Sequence, residues 1–309
     1  MKKIVDYELQ DGCTVQPQTK KELVDTIKRT CKRKGWNCDL NFIDTSKITD
    51  MSRLFANIPT CYGGYGFRKF NCDISKWNVS NVKNMDCMFS GAKKFNQPLN
   101  DWNTSNVESM NYMFFDAISF NQPIENWDVS KVTTMHYMFG YAKNFNQPLD
   151  KWNVSKVKSM KGMFAHAKNF NQPIENWDVS NVSSMCSMFK NAISFNHPLE
   201  KWNVSNVEIM SHMFEEAKNF NQPLNNWNTS KVTSMSRMFK KAISFNQPLD
   251  EWDTKSVNKY LGPTDMFKFA ENFDNKIPTF KNLETKHYNN LCFLLGLSHK
   301  YAEKHQHDF

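Results

Sequence analysis

The sequence predicts an α/β repeat solenoid, in which short, nearly identical units stack and bury their apolar faces against one another. Two observations lead to this fold class. The segment FNQPIENWDVS occurs at Phe120–Ser130 and again, unchanged, at Phe170–Ser180. Tryptophan recurs every 25 residues, which indicates a structural ladder in the core rather than a series of aromatic ligand sites. The ladder consists of Trp77, Trp102, Trp127, Trp152, Trp177, Trp202, Trp227 and Trp252.

Each repeat reads F-N-Q-P-[LI]-x-x-W-[ND]-[VT]-S-x-V-x-x-M-x-x-M-F-x-x-A-x-x. The alternating W-[ND]-[VT] segment predicts a short strand, and the Asn after each Phe is expected to point inward and satisfy loop backbone groups. The later apolar spacing is typical of a helix face, and Ser105–Glu108 and Ser205–Glu208 resemble capping boxes. The β-branched Val leaves a second possibility, that residues 13–16 of the repeat are extended. Short parallel strands on one face and short helices or turns on the other are therefore predicted.

The N-terminal segment, residues 1–39, is expected to cap the array. Thr19–Glu22 is a capping box that opens a helix, and this helix should run over about residues 20–34 and stop at Gly35.

The array itself is expected to span residues 40–278, and a C-terminal cap helix and tail to span 279–309. The predicted cap helix covers about 283–297 and lays the apolar stretch LCFLLGL over the last unit, and the tail after it is expected to be frayed. Within the array we predict a half repeat at 40–56, full repeats from residue 70 and a decayed repeat at 270–278.

The cysteines are spaced irregularly and form no C-x-x-C pair, so we expect free thiols in a reducing compartment and neither a metal site nor a cofactor. No apolar run approaches the roughly 18–20 residues of a membrane helix. The N-terminus MKKIVDYELQDG has no apolar region typical of a signal peptide, which favours a cytoplasmic protein. The cysteines are Cys13, Cys31, Cys38, Cys61, Cys72, Cys87, Cys186 and Cys292.

The repeat FNQPLDKWNVSKVKSMKGMF closely resembles the 25-residue repeat of the BspA-like leucine-rich repeat surface proteins, which are frequent in bacteria such as mycoplasmas. The resemblance covers about residues 40–278. It implies a right-handed, leucine-rich-repeat-like coil and a role in protein binding, often as an adhesin on a cell surface. It supplies no catalytic residues. Cell-surface location therefore stands as the alternative to a cytoplasmic one.

The function of a repeat protein is expected to reside in positions that vary between repeats. Tyr112, Phe115, Tyr137 and Tyr141 occupy positions that elsewhere carry Lys, Glu, Ser or Gly, and we predict that they form a protein-binding patch. The polar residues before each Trp are interpreted as a solvated surface, with peptide binding as the less favoured alternative. The basic run KRTCKRK at Lys28–Lys34 is interpreted as a solvated helix end, with nucleic acid or an anionic lipid surface as the less favoured partner.

Enzymatic activity is not expected, because no Ser/His/Asp set, phosphate loop or paired carboxylate stands out from the repeat. The sequence therefore predicts a non-catalytic protein–protein interaction module, an intracellular scaffold. The alternative is a surface or secreted adhesin exported without a recognisable signal peptide. The partner and the oligomeric state are not indicated.

Overall fold

A computed structural model describes residues 14–57, 66–258, 262–280 and 288–305. Within these residues there are three helices, α1 (Lys20–Lys34), α2 (Tyr288–Leu295) and α3 (His299–Lys304). The helix expected near the N-terminus occupies Lys20–Lys34, with Thr19 Oγ1 accepting a hydrogen bond from Glu22 N and Gly35 as its C-cap. Cys13 and Cys61 lie outside the described residues.

The described part of the array contains no helix, so the helical interpretation of the stretch from Val to Ala is wrong. That stretch is a series of turns, including the segments that begin at Ser105 and Ser205. The physical reason is a pair of left-handed residues in each repeat, as at Tyr112 (φ 56°) and Asp116 (φ 55°). Such residues interrupt an α-helix, in which every φ is negative.

The backbone contacts between repeats lie later in the unit than predicted. The W-[ND]-[VT] segment is no strand, because the Asn or Asp side chain closes a local turn, as where Asn78 Oδ1 accepts from Ser80 N. Isolated parallel bridges instead join the residue before the first Met of one repeat to its counterpart in the next, for example Ser109↔Thr134. The extended alternative for residues 13–16 of the repeat is thus nearer to the structure.

Alternate backbone N–H groups of the turn stretch donate to the following repeat. Met85 N donates to Ser109 O at 3.0 Å and Phe89 N to Met113 O at 2.8 Å. The N–H groups between them close turns within the repeat, as Met88 N does with Met85 O at 3.1 Å. This division leaves the buried backbone paired without a continuous helix or strand.

The phenylalanines form continuous ring stacks inside the array, and several tryptophans stack on one another beside them. The eight tryptophans of the ladder are 2–4% exposed, and the rings of Trp102 and Trp127 lie 6.2 Å apart and nearly parallel. Each indole N–H that enters this core is paired, as when Trp127 Nε1 donates to Leu99 O at 2.8 Å. Phe114 stacks on Phe139 at 5.7 Å in a second column. The core is therefore shared by all repeats.

The Asn side chains that follow the repeated Phe satisfy backbone N–H groups of neighbouring repeats, as predicted. The expectation that they point into the core is wrong, because they form a separate ladder at a partly exposed edge. Asn121 N donates to Asn96 Oδ1 at 2.9 Å, and Asn146 N donates to Asn121 Oδ1 at the same distance. One side-chain carbonyl thus fixes the register of two neighbouring repeats.

The C-terminal helices cover the last repeat. Asp265 N and Phe267 N, which would donate to a further repeat, donate to Leu294 O and Leu295 O of α2, both at 2.8 Å. Residues 283–287 of the predicted cap helix lie outside the described residues. The expectation of a frayed tail is wrong for α3, because Tyr301 is 3% exposed and its hydroxyl donates to Asn275 O at 2.9 Å.

Candidate partner-binding face

The turn stretch of each repeat presents residues on a layer outside the main core. Met110, Met113, Phe114 and Ala117 are fully buried and belong to the core. The residues between them form what we call the turn face. Its three columns are Cys87, Tyr112, Tyr137, Gly162, Ser187, His212 and Arg237; Ser90, Phe115, Gly140, Ala165, Lys190, Glu215 and Lys240; and Gly91, Asp116, Tyr141, His166, Asn191, Glu216 and Lys241.

Four rings meet on the turn face, and we call Tyr112, Phe115, Tyr137 and Tyr141 the aromatic patch. Tyr112 stacks on Tyr137 with ring centroids 5.3 Å apart and planes 13° apart. Phe115 lies 5.6 Å from Tyr112 and 5.2 Å from Tyr141. Tyr141 is 36% exposed and the other three rings are partly exposed. The 25-residue period thus brings together side chains that are far apart in sequence.

Two glycines give these rings their space. A Cβ at Gly162 would lie 2.3 Å from Tyr137 Cε1, and Gly162 has a φ of +62°. A Cβ at Gly140 would lie 3.0 Å from Phe115 Cδ2. Both glycines occupy turn-face positions that carry larger side chains in other repeats. The absence of a side chain at Gly162 leaves room for the ring of Tyr137.

His166 extends the aromatic patch, and sequence reasoning did not include it. Its ring stacks on Tyr141 at 4.1 Å with planes 11° apart. Burial, assisted by the charge of Lys190, lowers the pKa of His166, which favours the neutral ring in this stack. Burial also raises the pKa of Tyr137, so its hydroxyl stays protonated and can donate a hydrogen bond. The signal for His166 was its place one period after Tyr141.

Charged side chains cover the turn face further along the chain. Glu215 is 5% exposed, and its Oε2 lies 2.7 Å from Lys190 Nζ and 2.6 Å from His212 Nδ1. Burial acts to raise the pKa of Glu215, but the hydrogen bonds from His212 and Lys190 outweigh it and lower that pKa to about 2. Glu216 and Lys241 form a more exposed pair at 3.0 Å. The charged side chains of this region therefore pair with one another.

The family of mycoplasma proteins of unknown function described as DUF285 matches the chain over three overlapping segments, residues 25–150, 120–214 and 197–295. The chain belongs to the DUF285 family. Three tandem matches agree with the 25-residue period, and they identify the DUF285 chain as a mycoplasma-type repeat protein. No curated protein matches it significantly.

Two other surfaces of the DUF285 chain were considered from its sequence, the row of residues before the tryptophans and the basic run Lys28–Lys34. All eight residues that precede the ladder tryptophans are exposed, as expected for a solvated row. The basic run Lys28–Lys34 forms the second half of α1, where Lys32, Arg33 and Lys34 lie in the last turn. In the described part of the chain, no helix is long and apolar enough to cross a bilayer.

Proposed function

We propose that this chain is a non-catalytic protein–protein interaction module that binds a partner protein through the aromatic patch. The observation that carries the proposal is the ring stack of Tyr112, Phe115, Tyr137 and Tyr141, which is held at the surface over two glycines. Tyrosine is among the residue types enriched at the positions that contribute most to binding in protein interfaces. The proposal includes a leucine-rich-repeat-like, right-handed solenoid of the BspA-like type, with an intracellular location.

The partner should present an apolar or arginine side chain to the centre of the patch. The faces of stacked tyrosines bind guanidinium groups and apolar side chains, and their hydroxyls donate hydrogen bonds at the rim. The ordering of these rings before binding would reduce the entropy lost on association. The charged region around Glu215 offers no comparable anchor, because its buried carboxylate already has Lys190 and His212 as partners.

The test begins with chemical crosslinking in source cells and identification of the crosslinked protein by mass spectrometry. The Kd of that partner is then measured with purified wild-type chain and with the variant Tyr112→Ser/Phe115→Ser/Tyr137→Ser/Tyr141→Ser. Loss of several anchors should raise Kd at least about 100-fold. A matched control, Glu216→Ser/Lys241→Ser on the same face, should keep Kd within about threefold.

Two results would contradict the proposal. An unchanged Kd for the quadruple variant would show that the patch is not the interface. Loss of cooperative urea unfolding in that variant would show that the four rings are required for folding; the single variant Tyr141→Ser, at the most exposed ring, then decides whether the patch also binds.

A surface adhesin is the second candidate, favoured by the resemblance of the repeat to BspA-like surface proteins. Protease treatment of intact source cells distinguishes the two locations. Digestion before lysis would place the chain outside and support the adhesin, whereas digestion only after lysis would support the intracellular scaffold. The patch variant applies to either location, because both require a protein partner.

A further inference from the structure

Three cysteine thiols from separate segments converge beside the N-terminal cap. Cys31 lies on α1, Cys38 lies just after the turn that follows α1, and Cys72 lies in the first full repeat. Cys72 Sγ is 3.6 Å from Cys31 Sγ and 3.4 Å from Cys38 Sγ. All three sulfur atoms lie within 4.8 Å of one another. The absence of a C-x-x-C pair, on which the prediction of no metal site rests, does not bear on ligands that come from separate segments.

The distances suit a tetrahedral thiolate site. A Zn–S bond of about 2.3 Å and tetrahedral angles place neighbouring sulfurs about 3.8 Å apart. The observed separations of 3.4 and 3.6 Å are close to this value and well beyond the roughly 2.05 Å of a disulfide. A small movement of the side chains would therefore seat an ion among the three sulfurs.

The third thiol is a departure from the repeat. The residue after Phe-Asn is Gln in most repeats, and Gln147 Nε2, for example, donates to Asn121 Oδ1 at 3.0 Å on the partly exposed edge. The first full repeat carries Cys72 at this position, and its side chain is fully buried against α1. Among the full repeats, Cys occurs at this position only in the repeat that faces the cap.

The surroundings suit an ion held by thiolates. Cys31 and Cys72 are 2% and 0% exposed, whereas Cys38 is partly exposed and gives an ion a route to the site. An ion that binds displaces the thiol protons, because coordination stabilises the thiolate directly. Three thiolates around a divalent ion leave one net negative charge near the basic last turn of α1.

We propose that Cys31, Cys38 and Cys72 bind one thiophilic divalent ion of tetrahedral preference, with Zn²⁺ as the representative. The ion would fasten α1 to the first full repeat and so stabilise the N-terminal end of the array. A water molecule or another donor would complete the coordination. This site is independent of the aromatic patch.

The experiment titrates the reduced full-length chain with Co²⁺ under anaerobic conditions, because Co²⁺ reports thiolate ligation and tetrahedral geometry in its absorption spectrum. We expect one Co²⁺ per chain, a sulfur-to-cobalt charge-transfer band, and displacement of Co²⁺ by Zn²⁺. Cys72→Gln, which introduces the residue that most other repeats carry, should lose the band. Cys186→Ser, which removes a partly exposed thiol of the array, should retain it.

Alkylation mapping keeps the test decisive if Cys72→Gln fails to fold. Zn²⁺ should protect Cys31, Cys38 and Cys72 of the wild-type chain from iodoacetamide and leave Cys186 reactive. The proposal is overturned by absence of saturable Co²⁺ binding, by a spectrum without sulfur ligation, or by equal binding to Cys72→Gln. A Cys38–Cys72 disulfide that forms readily in a chain with no metal affinity would also overturn it and indicate a redox pair instead.

Discussion

Around Tyr137 the turn face is covered by stacked rings, whereas around Glu215 the same columns hold ion pairs. The backbone beneath is the same in both regions. Tyr137 N donates to Lys161 O and His212 N donates to Ser236 O, both at 2.8 Å. Both donors have positive φ, 50° and 60°. The repeat therefore fixes the backbone and the core, while the outer layer varies without disturbing either.

The largest expected effect is on the charged region, through Glu215→Gln. The substitution leaves Lys190 Nζ and His212 Nδ1 facing a neutral amide at a site that is 5% exposed. We expect the free energy of unfolding at pH 7 to fall by about 2–3 kcal/mol. Urea denaturation measures it. A loss below about 0.5 kcal/mol would show that the network is as weak as a surface pair.

The pH dependence of the same variant sharpens this result. The pKa of Glu215 is about 2, below its ordinary value of 4.5, so its contribution is complete above pH 4.5 and is lost as pH falls through 2. The stability difference between wild type and Glu215→Gln should therefore shrink by about 2–3 kcal/mol over that interval. The hydrogen bonds from Ser130 lower the pKa of Asp128, but Asp128 is present in both proteins, so its contribution cancels in the difference. A constant difference would refute the assignment.

Gly162→Ala tests the aromatic region in the same way. The new Cβ would lie 2.3 Å from Tyr137 Cε1, and a φ of +62° costs alanine about 1 kcal/mol more than glycine. We expect a loss of about 1–2 kcal/mol in urea denaturation and weaker partner binding, because Tyr137 must leave its stack. Ser187→Ala, one repeat later in the same column, is the control and should change stability by less than about 0.5 kcal/mol.

The smallest effect is expected for Lys241→Gln, which removes the exposed pair with Glu216 Oε1 at 3.0 Å. Its side chains are 47% and 28% exposed, so water and salt screen the attraction. Stability should change by less than about 0.5 kcal/mol in urea denaturation at low salt, and by less still at high salt. A larger change would mean that the charged region acts as one network from Glu215 to Glu216.

The period predicted more of this molecule than the local patterns did. It placed the buried tryptophans in one ladder and brought Tyr112 and Tyr137 together, because residues one period apart occupy equivalent places. The local apolar spacing led to the wrong prediction of a helix, because Met110, Met113 and Ala117 face the core equally well from a helix or from a chain of turns. The left-handed φ of Tyr112 could not be predicted, because nothing about a tyrosine favours that conformation.

The candidate sites were likewise predicted only in part from the sequence. Four of the five stacked residues at the surface were predicted from their unusual identity at varying positions, and His166 was missed because a histidine alone indicates no stack. The Cys31, Cys38 and Cys72 cluster was missed because its ligands come from a helix, a turn and a repeat. Only the packing of α1 on the first repeat reveals their proximity.

The Asn ladder has a consequence for how such a chain changes in length. The seven joints between Asn71 and Asn246 contain the same bond, from the backbone N–H of one Asn to the side-chain carbonyl of the Asn 25 residues earlier. Removal of residues 195–219, away from the aromatic patch, would place Phe220 after Ser194, as Phe195 stands now, and Asn221 N would meet Asn171 Oδ1. Recombination between neighbouring units can therefore shorten or lengthen the gene by whole repeats, carrying the aromatic patch intact to a new distance from either cap.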